Sequence, residues 1–318
     1  MTEEKSAQPA IAAEAPVNDA EIAVQGGAET NGEAPVETIV LTLSCPNTIG
    51  IVHAVTGFLV SHKCNISSSQ QFDDEMTDRF FLRIQARCEK PITLSALQAA
   101  FKATAEAYDM EYTLVDADRP MNVLLMVSRF DHCLNDLLYR LRMGQLNINV
   151  PAIVSNWPDL KPIADAAGIP YIHIPVTKDT KPEAEAQLQK VIEDNDVELV
   201  VLARYMQVLS NEMTTKLAGK AINIHHSFLP GFKGAKPYHQ AYDRGVKLVG
   251  ATAHYVTADL DEGPIIEQQV FRVDHTHQPE DLVAAGRDAE AQALSRAVRW
   301  HSENRVMLNG HRTVVLQG

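Results

Sequence analysis

The sequence predicts an α/β protein in which a mostly parallel sheet domain follows a smaller α+β domain. Residues 121 to about 227 alternate short apolar strands with helical patterns, which indicates parallel strands joined by right-handed crossovers. Residues 38–117 instead show a strand, a helix, two strands, a helix and a strand. Hydrophobic residues make up 45% of the 318-residue chain, which permits two cores of ordinary size. We therefore divide the chain into segments 1–36, 37–117 and 121–318.

The first segment, residues 1–36, is rich in Ala, Glu, Pro and Gly and has neither an aromatic residue nor an arginine. A secretory signal needs a basic start and an apolar core, and a mitochondrial presequence needs arginine. We therefore predict a disordered acidic tail on a cytoplasmic protein. The net charge of −13 argues against nucleic acid or an anionic membrane as a partner. The four cysteines lie far apart without a CxxC pair, as expected of thiols in a reducing compartment.

The second segment opens with a β-branched, alternating strand at 38–44 and a turn, "CPNTIG". Apolar residues then recur at helical spacing over 51–60. The later elements are a strand at 79–89, a helix at 93–110 and a strand at 111–117. One further strand between the first helix and residue 79 completes a small ferredoxin-like sandwich.

The stretch "SCPNTIGIVHAVTGFLVSHKCNI", residues 44–66, resembles an ACT domain. The resemblance implies pairing of sheets between subunits, and hence a homo-oligomer, a dimer or a tetramer. It also implies a small effector, often an amino acid, at the turn that contains Asn47 and Gly50. Family members often carry Asp where Asn47 stands, so a pure dimerisation module is an equal alternative.

The third segment begins with the buried strand "MNVLLMVS" and continues through three further strand and helix pairs to "KAINIHHS", residues 220–227. The predicted strands are 121–128, 148–156, 170–176, 196–205 and 220–227, and the intervening helices are 132–144, 160–168, 182–195 and 208–219. Two strands around the loop "TADLDEGP", a helix at 279–305 and a short strand at 311–317 follow. This order is typical of a Rossmann-like sheet, whose ligands bind beyond the carboxyl ends of the strands.

Asn223 and His225 lie at one such strand end, two residues apart, so both side chains point to the same side. An asparagine amide can donate to a developing oxyanion, and a histidine can exchange protons near neutral pH. Asp261, in an acidic loop bounded by glycine, could orient or charge the imidazole or hold a water. These residues predict a proton-handling site, although one histidine at a strand end is more often structural.

A metal centre is the alternative that the histidine count suggests. His225, His226, His239, His254, His275 and His277 all lie in this half of the chain. No HExxH motif or carboxylate-rich loop accompanies them, so we predict that no metal is bound. A binding protein without catalysis is a second alternative, but it would be expected to lack one of the three candidate residues.

The stretch "INIHHSFLPGFKGAKPYHQAYDRGVKLVGATAHYVTADLDEGPII", residues 222–266, resembles the catalytic core of the folate-dependent formyltransferase family. The shared features are Asn-x-His, a Ser-x-Leu-Pro loop, Gly-x-Thr-x-His and Asp-x-Gly-Pro. The resemblance covers about 190 residues of the third segment. It implies that Asn223, His225 and Asp261 are catalytic and that 10-formyltetrahydrofolate is a substrate, with no cofactor. The folate-binding residues that it implies are Arg204, Met206, Gln207, Leu209, Leu260 and Gly263.

Two departures favour hydrolysis over transfer to an amine. Nucleotide-accepting members have a glycine-rich loop after the first strand, whereas this chain has "SRFDHCLND", in which Asp131 would repel a phosphate. His226 stands where those members commonly have proline. The resemblance therefore implies hydrolysis to formate and tetrahydrofolate, supplying formate for purine synthesis and balancing the one-carbon folate pool. Transfer to a glycinamide ribonucleotide-type amine is the alternative, and His226, Lys236 and Tyr238 are possible accessory residues.

Overall fold

The computed structural model describes residues 34–229 and 237–317. The predicted tail up to residue 33 and the accessory candidate Lys236 lie outside these described residues. From Pro35 onward the chain forms one compact unit that contains both sheets. None of the described helices is long and apolar enough to cross a membrane.

The smaller sheet has four antiparallel strands in the order β2-β3-β1-β4, with two helices on one face. Its elements are β1 (Thr38–Pro46), α1 (Ile51–Ser61), β2 (Cys64–Asp74), β3 (Arg79–Cys88), α2 (Leu94–Ala107) and β4 (Glu111–Asp116). Successive side chains of β1 point to opposite faces of the sheet, and one set, Ile39, Leu41 and Leu43, packs under the helices with Phe101. The opposite set faces the second block, and this is why the strand is buried on both sides.

The larger sheet runs β12-β11-β10-β9-β5-β7-β8, with β6 beside β5. Its strands are β5 (Met121–Val127), β6 (Ile148–Asn149), β7 (Ile153–Ser155), β8 (Tyr171–His173), β9 (Leu199–Leu202), β10 (Ala221–His225), β11 (Leu248–Tyr255) and β12 (Ile265–Arg272). Strands β5 to β10 pair in parallel and β11 and β12 pair antiparallel, which confirms the mostly parallel Rossmann-like sheet.

The helices of this block are α3 (His132–Arg142), α4 (Lys161–Ala167), α5 (Lys181–Asp194), α6 (Asn211–Lys216), α7 (Pro237–Asp243) and α8 (Pro279–Ser302). A terminal hairpin follows, β13 (Val306–Asn309) and β14 (Arg312–Val315). The strand expected at 148–156 is divided into β6 and β7 around Pro151, since proline cannot donate a ladder hydrogen bond. The strand expected near residue 311 is half of a hairpin whose first half the sequence did not predict.

Helix α8 is the long helix that closes one face of the larger sheet. Its buried side is made of small residues, Ala289, Ala293 and Ala297, which lets it lie close to β10, β11 and β12. One charged residue, Glu290, interrupts this apolar side and is 2% exposed. A buried carboxylate needs hydrogen-bonding or charged partners, and the partners of Glu290 lead to the candidate site.

Candidate active site

The three predicted catalytic residues meet beyond the carboxyl end of β10. Asn223 and His225 lie on β10, and the loop between β11 and β12 returns Asp261 to them. His225 Nδ1 lies 3.1 Å from Asp261 Oδ1, and His225 is 5% exposed. Asp261 adopts a left-handed backbone, with φ of +59°. Such a backbone is more tolerable for Asp than for most residues, and it turns the carboxylate toward the imidazole.

The hydrogen bond between His225 and Asp261 assigns the roles of both groups. The bond from His225 is the main reason that the pKa of Asp261 is lowered, so Asp261 is a carboxylate at neutral pH and accepts from Nδ1–H. A neutral imidazole with its proton on Nδ1 carries a lone pair on Nε2. His225 Nε2 is buried and has no hydrogen-bond partner among the described residues. This nitrogen is therefore ready to accept a proton.

His254, which the sequence marked only as one histidine of many, fixes the orientation of Asn223. Its Nδ1 donates to the Tyr255 carbonyl oxygen at 2.9 Å, so its Nε2 accepts from Asn223 Nδ2 at 3.2 Å. Burial lowers the pKa of His254, which keeps the ring neutral. The Asn223 amide is thereby turned with its nitrogen toward His254, and its second N–H remains for a substrate oxygen. The Gly-x-Thr-x-His pattern was the available sequence signal, and the structure adds the β10–β11 register that places Asn223 opposite His254.

A cavity of about 260 Å³ opens over these residues. The predicted folate-binding residues Arg204, Met206, Gln207, Leu209 and Leu260 all line it. The segment after β9 is held in place by a buried hydroxyl. Ser128 Oγ accepts from Met206 N at 2.9 Å and donates to Asn156 at 2.6 Å. The remaining predicted residue, Gly263, does not line the cavity. It packs against the Tyr255 carbonyl within the loop between β11 and β12.

His226 joins the cavity lining beside His225, with ring centroids 5.1 Å apart. Strand β10 ends at His225, so the next side chain is not forced to the opposite face of the sheet. Burial, with the positive charge of Arg204, lowers the pKa of His226 to about 4. His226 is therefore a neutral imidazole at the site. The segment that follows is held by Thr252 Oγ1, which accepts from Leu229 N at 3.1 Å.

Arg204 and Tyr238 belong to a buried network around Glu290. Arg204 Nε lies 3.3 Å from Glu290 Oε2, His132 Nε2 lies 2.8 Å from the same oxygen, and Tyr238 OH donates to Oε1 at 3.1 Å. Burial raises the pKa of Glu290, but hydrogen bonding from His132 and the charge of Arg204 lower it on balance. Arg204 is thus held by a protein carboxylate. Tyr238, predicted as an accessory residue, contacts this network and does not line the cavity.

Ligand atoms of His132, Cys133 and Glu290 lie within 4.8 Å of one another, a spacing that could hold a metal ion. The Glu290 carboxylate already accepts from His132 and Tyr238, and the adjacent guanidinium of Arg204 would repel a cation. Burial also raises the pKa of the Cys133 thiol, which opposes thiolate formation. The group is better described as an ion-pair network than as a metal centre.

The turn predicted to hold an effector lies at the start of α1. Gly50 has φ of +99°, which a residue with a side chain rarely adopts, and the Tyr108 hydroxyl lies beside it. Asn47 donates its backbone N–H to the Asp78 carbonyl at 3.0 Å. These contacts explain the turn without a ligand, and the effector role of Asn47 and Gly50 stays a prediction.

Replacing Gly263 with alanine is expected to destabilise the fold by about 1–3 kcal/mol. The new methyl group would overlap the Tyr255 carbonyl oxygen and approach His254, so the acidic loop would have to move. The midpoint of thermal unfolding measures the effect. Gly57→Ala is the control, because an added Cβ there meets nothing within 4 Å and lies inside α1. An unchanged midpoint for Gly263→Ala would contradict the tight packing of this loop.

Comparisons with known proteins agree over nearly the whole described chain. A family model described as formyl transferase matches residues 121–298. The chain is 58% identical over 279 residues to a formyltetrahydrofolate deformylase of Corynebacterium sp. (strain P-1), which covers 87% of this chain and 98% of that protein. It is 44% identical over 280 residues to the formyltetrahydrofolate deformylase of Bacillus subtilis (strain 168), covering 86% and 92%.

Among solved structures, a formyltetrahydrofolate deformylase is more similar to this chain than a glycinamide ribonucleotide transformylase is. The crystal structure of formyltetrahydrofolate deformylase from Burkholderia mallei aligns with a TM-score of 0.85 at 54% identity, covering 88% of this chain and all of that one. Glycinamide ribonucleotide transformylase 1 from Symbiobacterium toebii aligns with a TM-score of 0.58 at 30% identity, covering 63% of this chain and 95% of that one. The first similarity includes the small sheet, whereas the second spans little more than the length of the larger block.

Proposed function

This chain belongs to the formyl transferase family, among its formyltetrahydrofolate deformylases, and from that premise we propose how its site works. The reaction is the hydrolysis of 10-formyltetrahydrofolate to formate and tetrahydrofolate. The observation that carries the mechanism is the pair of buried His225 with Asp261, because the unpaired Nε2 of His225 belongs to the same cavity lining as the oriented amide of Asn223. The pair supplies a base, and the amide supplies an oxyanion donor.

The first step is attack by water on the formyl carbon. His225 Nε2 takes one proton from the water as its oxygen bonds to the carbon, and the former carbonyl oxygen becomes an oxyanion. The free N–H of Asn223 donates to that oxyanion. The resulting imidazolium is stabilised by ionised Asp261 through Nδ1–H. No metal and no cofactor is needed for this step.

The second step is collapse of the tetrahedral intermediate. The oxyanion reforms a carbonyl, the bond from carbon to N10 breaks, and imidazolium His225 gives its proton to N10. The products are tetrahydrofolate and formic acid, which ionises to formate. His225 returns to its neutral form, with its proton on Nδ1.

His226 supports water as the acceptor. A nucleophilic water must direct both hydrogens away from the carbon that it attacks. In this proposal His225 accepts one, and the neutral ring of His226, with its centroid 5.1 Å from that of His225, accepts the other. An amine acceptor would bring a substituent into this space.

Transfer to an amine is the weaker candidate. The segment after β5 has no glycine, and its side chains His132 and Cys133 pack against Glu290 rather than leaving a bare backbone cradle. The buried carboxylate would also repel a phosphate brought near it. The transformylases are more distant neighbours of this chain than the deformylases.

The wider role follows from the reaction. We propose that the enzyme releases formate for purine synthesis and balances the one-carbon folate pool in the cytoplasm. The small sheet, residues 37–117, is proposed to be an ACT domain that joins subunits into a homo-oligomer and that binds an amino-acid effector at Asn47 and Gly50. The cavity residues Met206, Leu209 and Leu260 are proposed to hold the folate.

Formate release from 10-formyltetrahydrofolate without any amine acceptor tests this function. The purified protein is expected to release one formate for each tetrahydrofolate formed, and added glycinamide ribonucleotide should change neither the rate nor the products. Formylation of the amine with no release in its absence would return the chain to the transferases. A metal-chelated sample should show the same turnover, because no step of the mechanism uses a metal.

A further inference from the structure

A second cavity, of about 480 Å³, lies at the end of the larger sheet opposite the catalytic residues. Val197, Glu198, Gly219 and Lys220 line it just before β9 and β10 begin. The small sheet forms its other wall through the strand face that carries no helices. The lining residues on that face are Val40, Arg83, Gln85, Thr113 and Val115. The cavity is therefore separate from both the active site and the turn at Gly50.

Arg83 is the unusual residue of this cavity, because it is a buried cation without a carboxylate partner. It is 2% exposed, and its Nε and Nη2 donate to the Glu303 carbonyl oxygen at 3.1 and 2.9 Å. Within residues 34–229 and 237–317, Nη1 has no hydrogen-bond partner, and the ion pairs include none to Arg83. The carboxylate of Glu303 is instead taken by Arg299 and Arg305. A buried charge of this kind is costly unless an anion accompanies it.

The rest of the cavity lining also favours a small anionic ligand. Arg119, Lys220 and Arg305 add three cations, while Asp116, Glu198 and Glu303 add three acids. Glu198 is occupied by Arg119 Nη1 at 3.0 Å, so the acids offer little compensation to Arg83. Burial, together with the nearby charge of Arg305, lowers the pKa of Arg83 to about 10, as expected of an uncompensated cation. Val40, Val115 and Met121 supply an apolar wall.

We propose that this cavity binds a small carboxylate. Its anionic group accepts hydrogen bonds from Arg83 and Lys220, and its short apolar body lies against Val40, Val115 and Met121. The guanidinium then has the anion that the protein itself does not provide. Arginine suits this role because its fork matches the two oxygens of a carboxylate.

Two sets of hydrogen bonds, joined through the covalent structure of Tyr255, lead from this cavity to the Asn223 amide. His301 lines the cavity, and its Nδ1 is hydrogen-bonded to the Tyr255 hydroxyl at 2.7 Å. The Tyr255 carbonyl accepts from His254 Nδ1, and His254 Nε2 accepts from Asn223. Arg83 also holds the carbonyl at the end of α8, the helix that carries His301. A ligand that draws Arg83 toward itself therefore changes the support of the Asn223 amide, and turnover responds to it.

Calorimetric titration with butyrate and with 2-aminobutyrate tests the binding, and the uncharged butyramide serves as the reference ligand. At least one carboxylate is expected to bind the full-length protein, butyramide is not, and Arg83→Met is expected to weaken carboxylate binding about tenfold or more. Arg87→Met is the matched control, because Arg87 is exposed on the same strand outside the cavity. Absence of heat with both carboxylates, equal binding of butyramide, or undiminished binding to Arg83→Met would overturn the proposal.

Lys220→Met keeps the test decisive if Arg83→Met does not fold. Lys220 immediately precedes β10, is exposed, and is not paired with an acid among the described residues, so its replacement should leave the fold intact. It is expected to weaken binding about threefold or more, and an unchanged affinity would count against the site. Calorimetry reports binding without reference to the reaction, so a failure of the proposed hydrolysis leaves this test intact.

The link to the active site has its own test. The rate of formate release with saturating carboxylate, divided by the rate without it, is expected to differ from one by about twofold or more in the wild type. Tyr255→Phe keeps the backbone carbonyl but removes the bond to His301, so the variant should bind the carboxylate and show a ratio near one. A ratio that stays at its wild-type value in Tyr255→Phe would reject this route.

Discussion

Replacing His225 with alanine is expected to lower kcat for formate release by about 10²–10⁴-fold while leaving KM nearly unchanged. The substitution removes the nitrogen that is proposed to take the proton from water and return it to N10. The cavity proposed to hold the folate is lined mainly by other residues, so substrate binding should survive. Initial rates of formate release and the substrate dissociation constant measure the two effects separately.

His173→Ala provides the matched control, since His173 is exposed on β8. It should retain wild-type turnover. A His225→Ala variant that keeps more than about a tenth of the wild-type kcat would show that another group is the base.

Asp261→Asn is expected to lower kcat by as much as about 10⁴-fold, with little change in volume. The amide can present its N–H to His225 Nδ1, which would move the imidazole proton to Nε2 and remove the lone pair that activates water. The neutral amide also cannot stabilise the imidazolium. Because both residues act as one unit, the double variant His225→Ala/Asp261→Asn should be no slower than His225→Ala alone. Losses that multiply in the double variant would show that Asp261 acts independently.

The pH dependence of the Asp261 contribution has a definite sign. The bond from His225 lowers the pKa of Asp261 in the folded protein, so the pair contributes stability above the ordinary carboxyl range. That contribution is lost as the pH falls through the lowered folded value. Thermal unfolding of wild type and Asp261→Asn, followed from pH 7 downward, should therefore converge only in acid. A difference in unfolding midpoint that grows as the pH falls would contradict the ion pair.

The sequence could place the three candidate catalytic residues together because each lies where a simple rule applies. The two-residue period of a strand places Asn223 and His225 on one side of the sheet. Asp261 could be singled out because it lies in an acidic loop bounded by glycine. The position of His254 depends on which residues face each other across β10 and β11, and strand register cannot be read from either strand alone. The pairing of Arg204 with Glu290 joins residues 86 positions apart, so no local pattern predicted this buried ion pair beside the cavity.

Fold-level predictions were limited in the same way. Alternation of strands and helices identified the parallel sheet, and Pro151 accounts for the division of one predicted strand. Strands β13 and β14 have only four residues each, and the two-residue turn between them begins at Gly310, which has φ of +61°. The stability of this hairpin comes from contacts with distant segments, which no local pattern records.

Those distant contacts join the C-terminal hairpin, β13 and β14, to the small sheet near the start of the chain. Asp74, the last residue of β2, accepts from Asn309 at 2.5 Å and from Arg312 at 3.1 Å. Thr313 donates to the Ile265 carbonyl at 2.6 Å, so the hairpin is also hydrogen-bonded to the larger sheet. Opening the hairpin breaks bonds to both sheets at once, and loss of either sheet releases it. The two sheets therefore share one unfolding transition, and a cut that separates the blocks near residue 118 leaves each of them with unpaired polar groups.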